Sequence, residues 1–372
     1  MIELTGKHST AKVFSDNVEA GALHQVQHIL DQPFTSGSKV RVMPDVHSAL
    51  VGVVGLTMTI TDKVVPNLVG VDGGCGMLTT LLKNKRIDFN QLDKVIRKEI
   101  PSGFNIRKTR HSFMDDLSRF DFKCAKHIDR ERAALSMGTL GGGNHFIEVG
   151  QDDDGQLYLI VHSGSRSLGK QVCEYYQNAA ADALGRKGDG ADRALAYAEG
   201  ELLNDYLRDI YIVQKYADLN RKAIVRDIGK AMKFKEVEQF STVHNYIDFD
   251  IYLEEKILRK GAVSAKLDEK IIVPMNMRDG SLLCVGKGNA DWNYSAPHGA
   301  GRVMSRKEAK EKITLTEYKK AMKGVFSTSV SQASVDEAPQ VYKPMDEVVE
   351  NSTETMTVVK RLKSVYNFKA EA

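Results

Sequence analysis

The chain predicts an α+β fold with mixed sheets. Three observations point there. Short apolar runs recur along the 372 residues, each closed by a Gly-rich turn. Strand-like and helix-like segments do not alternate regularly, which disfavours a doubly wound parallel sheet. No Pro/Ser linker divides the chain, and the chemically interesting residues are spread from about 45 to about 369, as in one domain whose site gathers many loops.

Taken in order, Val40–Met43 and the weakly alternating Val53–Ile60 read as strands, and Ala22–Asp31 as a helix. Leu157–Val161 (LYLIV) and Lys270–Val273 (KIIV) are apolar enough for buried strands. The stretch Ala191–Lys233, rich in Ala, Leu, Glu, Lys and Arg, predicts a long helix broken near Arg226–Gly229. Another helix is expected within Arg306–Lys323, where alternating Lys and Glu make a solvated face, and a last one over Asp346–Ser364.

Composition narrows the function classes. Hydrophobic residues are 42% and charged residues 27%, ordinary for a folded protein and not for a disordered one. Lys+Arg 52 against Asp+Glu 49 leaves a net charge of +3, so any nucleic-acid surface is local. No run of 18 apolar residues predicts a membrane span, and the N-terminus has no signal-peptide pattern, so a cytoplasmic location is expected. The cysteines at 75, 124, 173 and 284 form no paired framework and read as reduced thiols.

Histidines carry the first chemical signal. His145, His162, His244 and His298 each lie in turn-like sequence beside small or amide residues, several at the ends of apolar runs, where a scaffold presents reactive groups. In Gly70-Val71-Asp72-Gly73-Gly74-Cys75-Gly76-Met77 a carboxylate and a thiol lie three residues apart, among glycines that let the backbone turn tightly. Oxygen, sulfur and imidazole donors together suit Mn, Zn, Co or Fe better than Mg or Ca, and a thiolate can bridge two ions. The bland alternative is a Gly-rich turn with an inert, buried Cys.

Gly164–Lys170 fits the spacing of a phosphate-binding loop and follows the LYLIV strand. Gln171 stands where Ser or Thr should hold the metal, so a looser phosphate cradle of backbone amides and Arg166 is expected instead. Gly286–Arg302 holds the only Trp and sets His298 between Pro297 and Gly299-Ala300-Gly301. Small neighbours let a bulky group approach the ring, which suits a His nucleophile that attacks phosphorus and forms a phosphoramidate.

These segments together resemble the RtcB RNA ligases. The motifs are Met43-Pro44-Asp45-Val46-His47, GVDGGCGM at 70–77, LGGGNHFIEV at 140–149, VHSGSRSLGK at 161–170, HNY at 244–246, SAPHGAGR at 295–302 with Ser305-Arg306, and DEAP followed by Tyr342. The resemblance implies a single RtcB-like domain over 1–372, with mixed and antiparallel central sheets flanked by helices around a deep metal-containing cleft. It implies ligation of RNA ending in a 3′-phosphate or 2′,3′-cyclic phosphate to RNA with a 5′-hydroxyl, using GTP and Mn²⁺, in tRNA splicing or RNA repair. His298 falls on the nucleophile position and would carry GMP. Asp72, Cys75, His145, His162 and His244 fall on the ligand positions for two Mn²⁺ ions, with Cys75 as the bridge. Nucleotide-binding positions are implied at Asn144, His145, Phe146, Ile147, Glu148, His244, Asn245, Pro274, Met275, Asn276, Met277, Ser281, His298, Gly299, Ala300, Gly301, Tyr342 and Lys369. Glu148 would receive guanine N–H donors. Broken RNA, such as tRNA halves, is the implied partner, with an archease-type activator alongside.

The chain departs from the family pattern at five residues in three motifs, as a divergent and short branch. Gly73 replaces a bulky apolar residue, and Ala49 and Val51 replace glycines after the MPDVH motif. Asn276 and Arg278 replace Ser and Gly in the guanine pocket, which bears on nucleotide selectivity. Two other functions fit the same residues: a metal-dependent phosphoesterase acting on RNA ends, and a non-catalytic RNA-end binder.

Overall fold

A computed structural model describes residues 1–114, 121–187, 192–250, 253 and 255–370. Seventeen strands are described: β1 (Ile2–Thr5), β2 (Thr10–Val13), β3 (Val40–Ser48), β4 (Val53–Thr59), β5 (Lys63–Val64), β6 (Gly76–Leu82), β7 (Phe146–Gln151), β8 (Leu157–Ser163), β9 (Ala198–Glu199), β10 (Glu236–Val243), β11 (Asn245–Asp248), β12 (Ile257–Lys260), β13 (Ala262–Ser264), β14 (Lys270–Asn276), β15 (Gly280–Gly286), β16 (Ser295–Pro297) and β17 (Met356–Lys369).

Two sheets organise them. A six-stranded sheet has the order β1-β2-β3-β4-β12-β11, antiparallel except for the β2–β3 pair. A seven-stranded sheet has the order β10-β6-β8-β7-β17-β15-β14 and is antiparallel throughout. The second sheet curls until its two outer strands meet: the Ile272 amide of β14 donates to Thr242 Oγ1 of β10, and Lys270 pairs with Glu238. Met77, Phe146, Ile160, Ile272 and Leu362 fill the concave side with apolar packing. The predicted α+β architecture with mixed sheets is the one observed.

The long helix, Gly200–Met232, ties the sheets together. Tyr206, Ile210, Val213 and Tyr216 pack in the core that covers the six-stranded sheet. Ile224, Val225 and Ile228 pack with Leu78, Ile147 and Val161 on the convex side of the seven-stranded one. The helix is continuous through Arg226–Gly229, contrary to the expected break. A helical Gly costs only about 1 kcal/mol relative to Ala, and the packing on either side outweighs it. Residue 191, the expected start, lies outside the described residues. No described helix is long and apolar enough to cross a membrane.

Two other expectations are corrected. Arg306–Lys323 is two helices, Arg306–Lys312 and Leu315–Ala321, each opened by its own capping box, from Ser305 with Glu308 and from Thr314 with Glu317. Asp346–Ser364 is not one helix. It holds the short helix Met345–Glu350 and then most of β17, which pairs on both sides, with β15 and with β7. The ladders on either side override the helical look of Lys360, Arg361 and Lys363.

Candidate active site and metal centre

Antiparallel pairing brings the chemistry to one end of the curled sheet. β6 starts just after Cys75, β7 just after His145, β8 ends just after His162, and β10 ends just before His244. The registers Gly76↔Val243, Gly76↔Ser163 and Phe146↔His162 place these four strand ends side by side. Asp72 reaches the same point from the turn before β6.

There Cys75 Sγ lies 3.5 Å from His145 Nε2 and 3.3 Å from His162 Nε2. His162 Nε2 is 3.3 Å from His244 Nε2, and His145 Nε2 is 3.0 Å from Asp72 Oδ2. The donors form two sets, Asp72–Cys75–His145 and Cys75–His162–His244, each able to hold one ion, with the sulfur common to both.

The outer ring nitrogens fix which atoms face inward. His145 Nδ1 donates to the Leu140 carbonyl at 2.8 Å, and His162 Nδ1 to the Asn144 carbonyl at 3.1 Å. Each Nε2 lone pair is then aimed at the cluster, as in a ligating His held by an outer partner. His244 Nδ1 is buried with no hydrogen-bond partner among the described residues. A carboxylate, a sulfur and three imidazole nitrogens converge here, and a cation that displaces the thiol proton would satisfy them together. This donor set fits a divalent transition metal.

Charge follows the same logic. Burial pushes the Cys75 thiol well up, and the Asp72 carboxylate adds to it. Burial likewise drives His162 and His244 well below the ordinary imidazole range, aided by neighbouring rings. Burial would raise Asp72, but His145 and the Ser165 amide hold it well below the usual carboxylate range. The Ser165 amide donates to Asp72 Oδ1 at 2.8 Å, just before the helix Arg166–Lys187 begins. A Cβ on Gly164 would lie 2.1 Å from that oxygen. The expected phosphate cradle is therefore corrected: the 164–166 turn receives the chain's own carboxylate. The Arg166 guanidinium is occupied too, donating to Thr139 Oγ1 and the Gly103 carbonyl. Lys170 is exposed and pairs with Glu174.

A cleft opens beside the cluster. His298 enters it from the small β13–β16 sheet, its ring centroid 5.0 Å from that of His244. Asp45 is buried behind the ring. Its Oδ2 accepts from His298 Nδ1 at 2.7 Å and from the His298 amide at 3.1 Å. That double contact fixes the ring and leaves Nε2 with the lone pair. Gly301, at φ +71°, is obligatory here, because a Cβ would lie 2.8 Å from the Asp45 carbonyl oxygen.

Of the remaining residues singled out from the sequence, Asn144, Phe146, Glu148, His244, Pro274, Met275, Asn276, Met277, Gly299, Ala300, Tyr342 and Lys369 line this cleft. Four do not. His145 lies in the metal cluster. Ile147 alternates to the convex side of β7 and packs in the core. Ser281 is buried behind Glu148 and donates to its Oε1 at 3.1 Å. Asn245 Oδ1 accepts from the Gly261 amide, bracing the turn beside His244. Sequence reasoning left out Asp45, His47, Arg302, Arg306, Glu337 and Asn367. The first four and Glu337 stood inside quoted motifs; Asn367 is reached only through the β17 register, opposite Glu148.

The far wall is a charged knot. Glu337 is 3% exposed and takes Lys369 Nζ at 2.5 Å, Arg306 at 2.6 Å and the Tyr342 hydroxyl at 2.7 Å. Burial would raise it, but Lys369 and Arg306 hold it at about 2. Glu148 differs. Burial raises it to about 7, despite hydrogen bonds from Asn367 and Ser281.

The departures also find partners. A Cβ on Gly73 would lie 2.7 Å from Ile210 Cδ1, so the long helix fills that space instead. Arg278 turns to its neighbour, donating to Asp279 Oδ1 at 2.6 Å and Oδ2 at 2.8 Å. Asn276 closes the same hairpin by accepting from the Arg278 and Asp279 amides.

An α+β protein whose sheet gathers two ligand sets around one sulfur, beside a carboxylate-held histidine, has the donor set of a metal-binding protein. Which kind is decided by its relatives. Residues 25–370 match the tRNA-splicing ligase RtcB family, and the chain belongs to that family. It is 30% identical to the RNA-splicing ligase RtcB of Escherichia coli K12 over 97% of this chain and 98% of that protein. It is 28% identical to RNA-splicing ligase RtcB2 of Escherichia coli ATCC 25922, over 90% of this chain and 87% of that protein. The tRNA-splicing ligase RtcB of Nanoarchaeum equitans is 27% identical, over 83% of each chain.

Proposed function

We propose that this chain is an RNA ligase that joins a 3′-phosphate or 2′,3′-cyclic phosphate end to a 5′-hydroxyl end, using GTP and Mn²⁺ through a covalent histidine–GMP intermediate. Family membership supports the RNA ligase class. The observation that carries the finer chemistry is the Asp45–His298 pair: a ring whose Nδ1 proton is committed to a buried carboxylate, with Nε2 facing a cleft beside the metal cluster.

In this reading His298 Nε2 attacks the α-phosphorus of GTP as the bond to pyrophosphate breaks. Asp45 keeps the Nδ1 proton and balances the charge that the ring gains. The guanylate then passes to the RNA 3′-phosphate oxygen, which returns the lone pair to Nε2. The 5′-hydroxyl attacks that activated phosphate, and GMP leaves. A cyclic end is hydrolysed first to the 3′-phosphate. Asp72, Cys75, His145, His162 and His244 would hold two Mn²⁺ ions, which supply charge neutralisation to the phosphates. Glu148 accepts guanine N–H groups once ionised, with Asn367 and Ser281 fixing its orientation. Lys369 and Tyr342 bound the nucleotide on the opposite side.

The substrates are broken RNAs, either tRNA halves or damaged RNA, handled in the cytoplasm with an archease-type activator. The test uses α-labelled GTP and Mn²⁺ followed by denaturation. Acid-labile, alkali-stable label on wild type, absent from His298→Ala, is the expected result. No label but phosphate released from RNA ends would indicate a phosphoesterase. RNA binding with neither reaction would indicate an end binder.

A further inference from the structure

Two neighbouring polar residues on the buried face of the long helix reach the backbones around the candidate metal ligands. Arg221 is fully buried. One of its nitrogens, Nη1, donates to the Gly74 carbonyl at 2.7 Å and to the Ser163 carbonyl at 2.9 Å. Gly74 lies between Asp72 and Cys75, and Ser163 follows His162. Its Nε and Nη2 find no hydrogen-bond partner among the described residues, and the carboxylate of Asp218 is 3.7 Å away. Asn220 is equally buried. Its Oδ1 accepts from the Gly138 and Thr139 amides, and its Nδ2 donates to the Thr139 carbonyl, Ser163 Oγ and the Gly164 carbonyl. Ser163 Oγ in turn donates to the Leu140 carbonyl, the same oxygen that fixes the His145 ring.

We propose that Asn220 and Arg221 are positioning residues that set the distance between the Asp72–Cys75–His145 and Cys75–His162–His244 ligand sets. The inference rests on the metal reading given above. Burying a guanidinium and an amide inside a helix is unfavourable unless their hydrogen bonds do something apolar side chains cannot. Here four of those bonds end on Gly74, Ser163 and Gly164, beside the ligands, and the other three end on Gly138 and Thr139, which lead into the Leu140 carbonyl that orients His145. The pair joins three separate chain segments at the point where the ligands converge. Loss of partners one layer out from the ligands weakens metal sites by about 10–100-fold.

The test reads metal, not ligation. Co²⁺ is titrated into chelator-stripped protein while its thiolate charge-transfer and d–d absorption is followed. Wild type should bind two ions. Asn220→Ala and Arg221→Met should weaken binding by about 10–100-fold and alter the spectrum, with Arg221→Lys in between. Asp209→Asn is the control: Asp209 is buried in the same helix, but its carboxylate serves the Lys123 and Cys124 amides, away from the ligands. It should lower the unfolding midpoint and leave Co²⁺ affinity intact. If Arg221→Met fails to fold, Arg221→Lys and Asn220→Ser carry the measurement. Variants that lose thermal stability but keep wild-type affinity and spectrum overturn the inference. A wild type that binds no cobalt overturns the metal reading instead.

Discussion

The two ends of the cleft are built on opposite principles. At the metal end, Asp72, Cys75, His145, His162 and His244 turn their ligand atoms toward one another in two sets that could each hold an ion. At the far end, Glu337 is already paired with Lys369, Arg306 and Tyr342. The first end offers donors that a cation would complete. The second is already ion-paired within the chain, so a nucleotide arriving there must exchange partners with groups that already have them. The difference teaches where a substitution will be fatal: an end that depends on one shared atom fails at once, and an end that is a network of pairs fails gradually.

The sharpest break in that contrast is Cys75→Ala. It removes the atom common to both ligand sets, so guanylylation should fall below detection, on the order of 10³-fold or more, with metal content measured on the purified protein reduced at both sites. Full labelling in Mn²⁺ would show that the sulfur is not shared. His145→Ala and His162→Ala should each lower metal content less. Asp45→Asn comes next. It leaves the cluster untouched but can drive the wrong tautomer onto His298, so guanylylation should slow by about 10²–10⁴-fold with metal content unchanged. A parallel loss of metal in that variant would mean that Asp45 serves the metal end instead.

The same contrast explains how much could be read from the sequence. The metal end was legible, because each ligand lies in a short Gly-rich or strand-end motif: Asp72 and Cys75 in one turn, His145 after Gly143-Asn144, His162 closing LYLIV, His244 before Asn245. What the motifs did not show was that the strand ends lie side by side, which only the antiparallel registers provide. The far end was less legible. Its residues come from irregular segments and from β17, where charged Lys360, Arg361 and Lys363 mask a two-residue alternation that ends in Leu362, Ser364, Tyr366 and Phe368. Asn367 carries no local signal at all; it matters because it faces Glu148 across the sheet. Asp45 stood in a quoted motif, yet its role depends on a partner 253 residues away. The 164–170 turn had the spacing of a phosphate loop, but spacing cannot tell that Asp72 has taken the anion's place.

At the ion-paired end the effects should be smaller. Lys369→Ala removes one of three partners of Glu337 and a cation 5.4 Å from the Phe146 ring. GTP should bind about tenfold more weakly by equilibrium dialysis, with both metals retained. An unchanged affinity would place the nucleotide elsewhere in the cleft.

Glu148 offers the finest probe, because it is the one carboxylate at this end that is not held ionised by a cation. Burial lifts it from 4.5 to about 7, so between those values the folded protein holds a proton that the unfolded chain releases. Stability from this group is therefore present at low pH and lost as pH rises through about 7. Glu148→Gln cannot ionise. In urea unfolding it should lose less stability than wild type between about pH 5 and pH 8, by about 1–3 kcal/mol. GTP affinity should run the other way in wild type, strengthening as Glu148 ionises and becomes an acceptor for guanine. The metal ligands also release protons on binding, so the dependence must be measured at saturating Mn²⁺. A wild-type affinity that stays flat across that range, or a Glu148→Gln variant with the same slope, would remove Glu148 from guanine recognition while leaving the metal end as described.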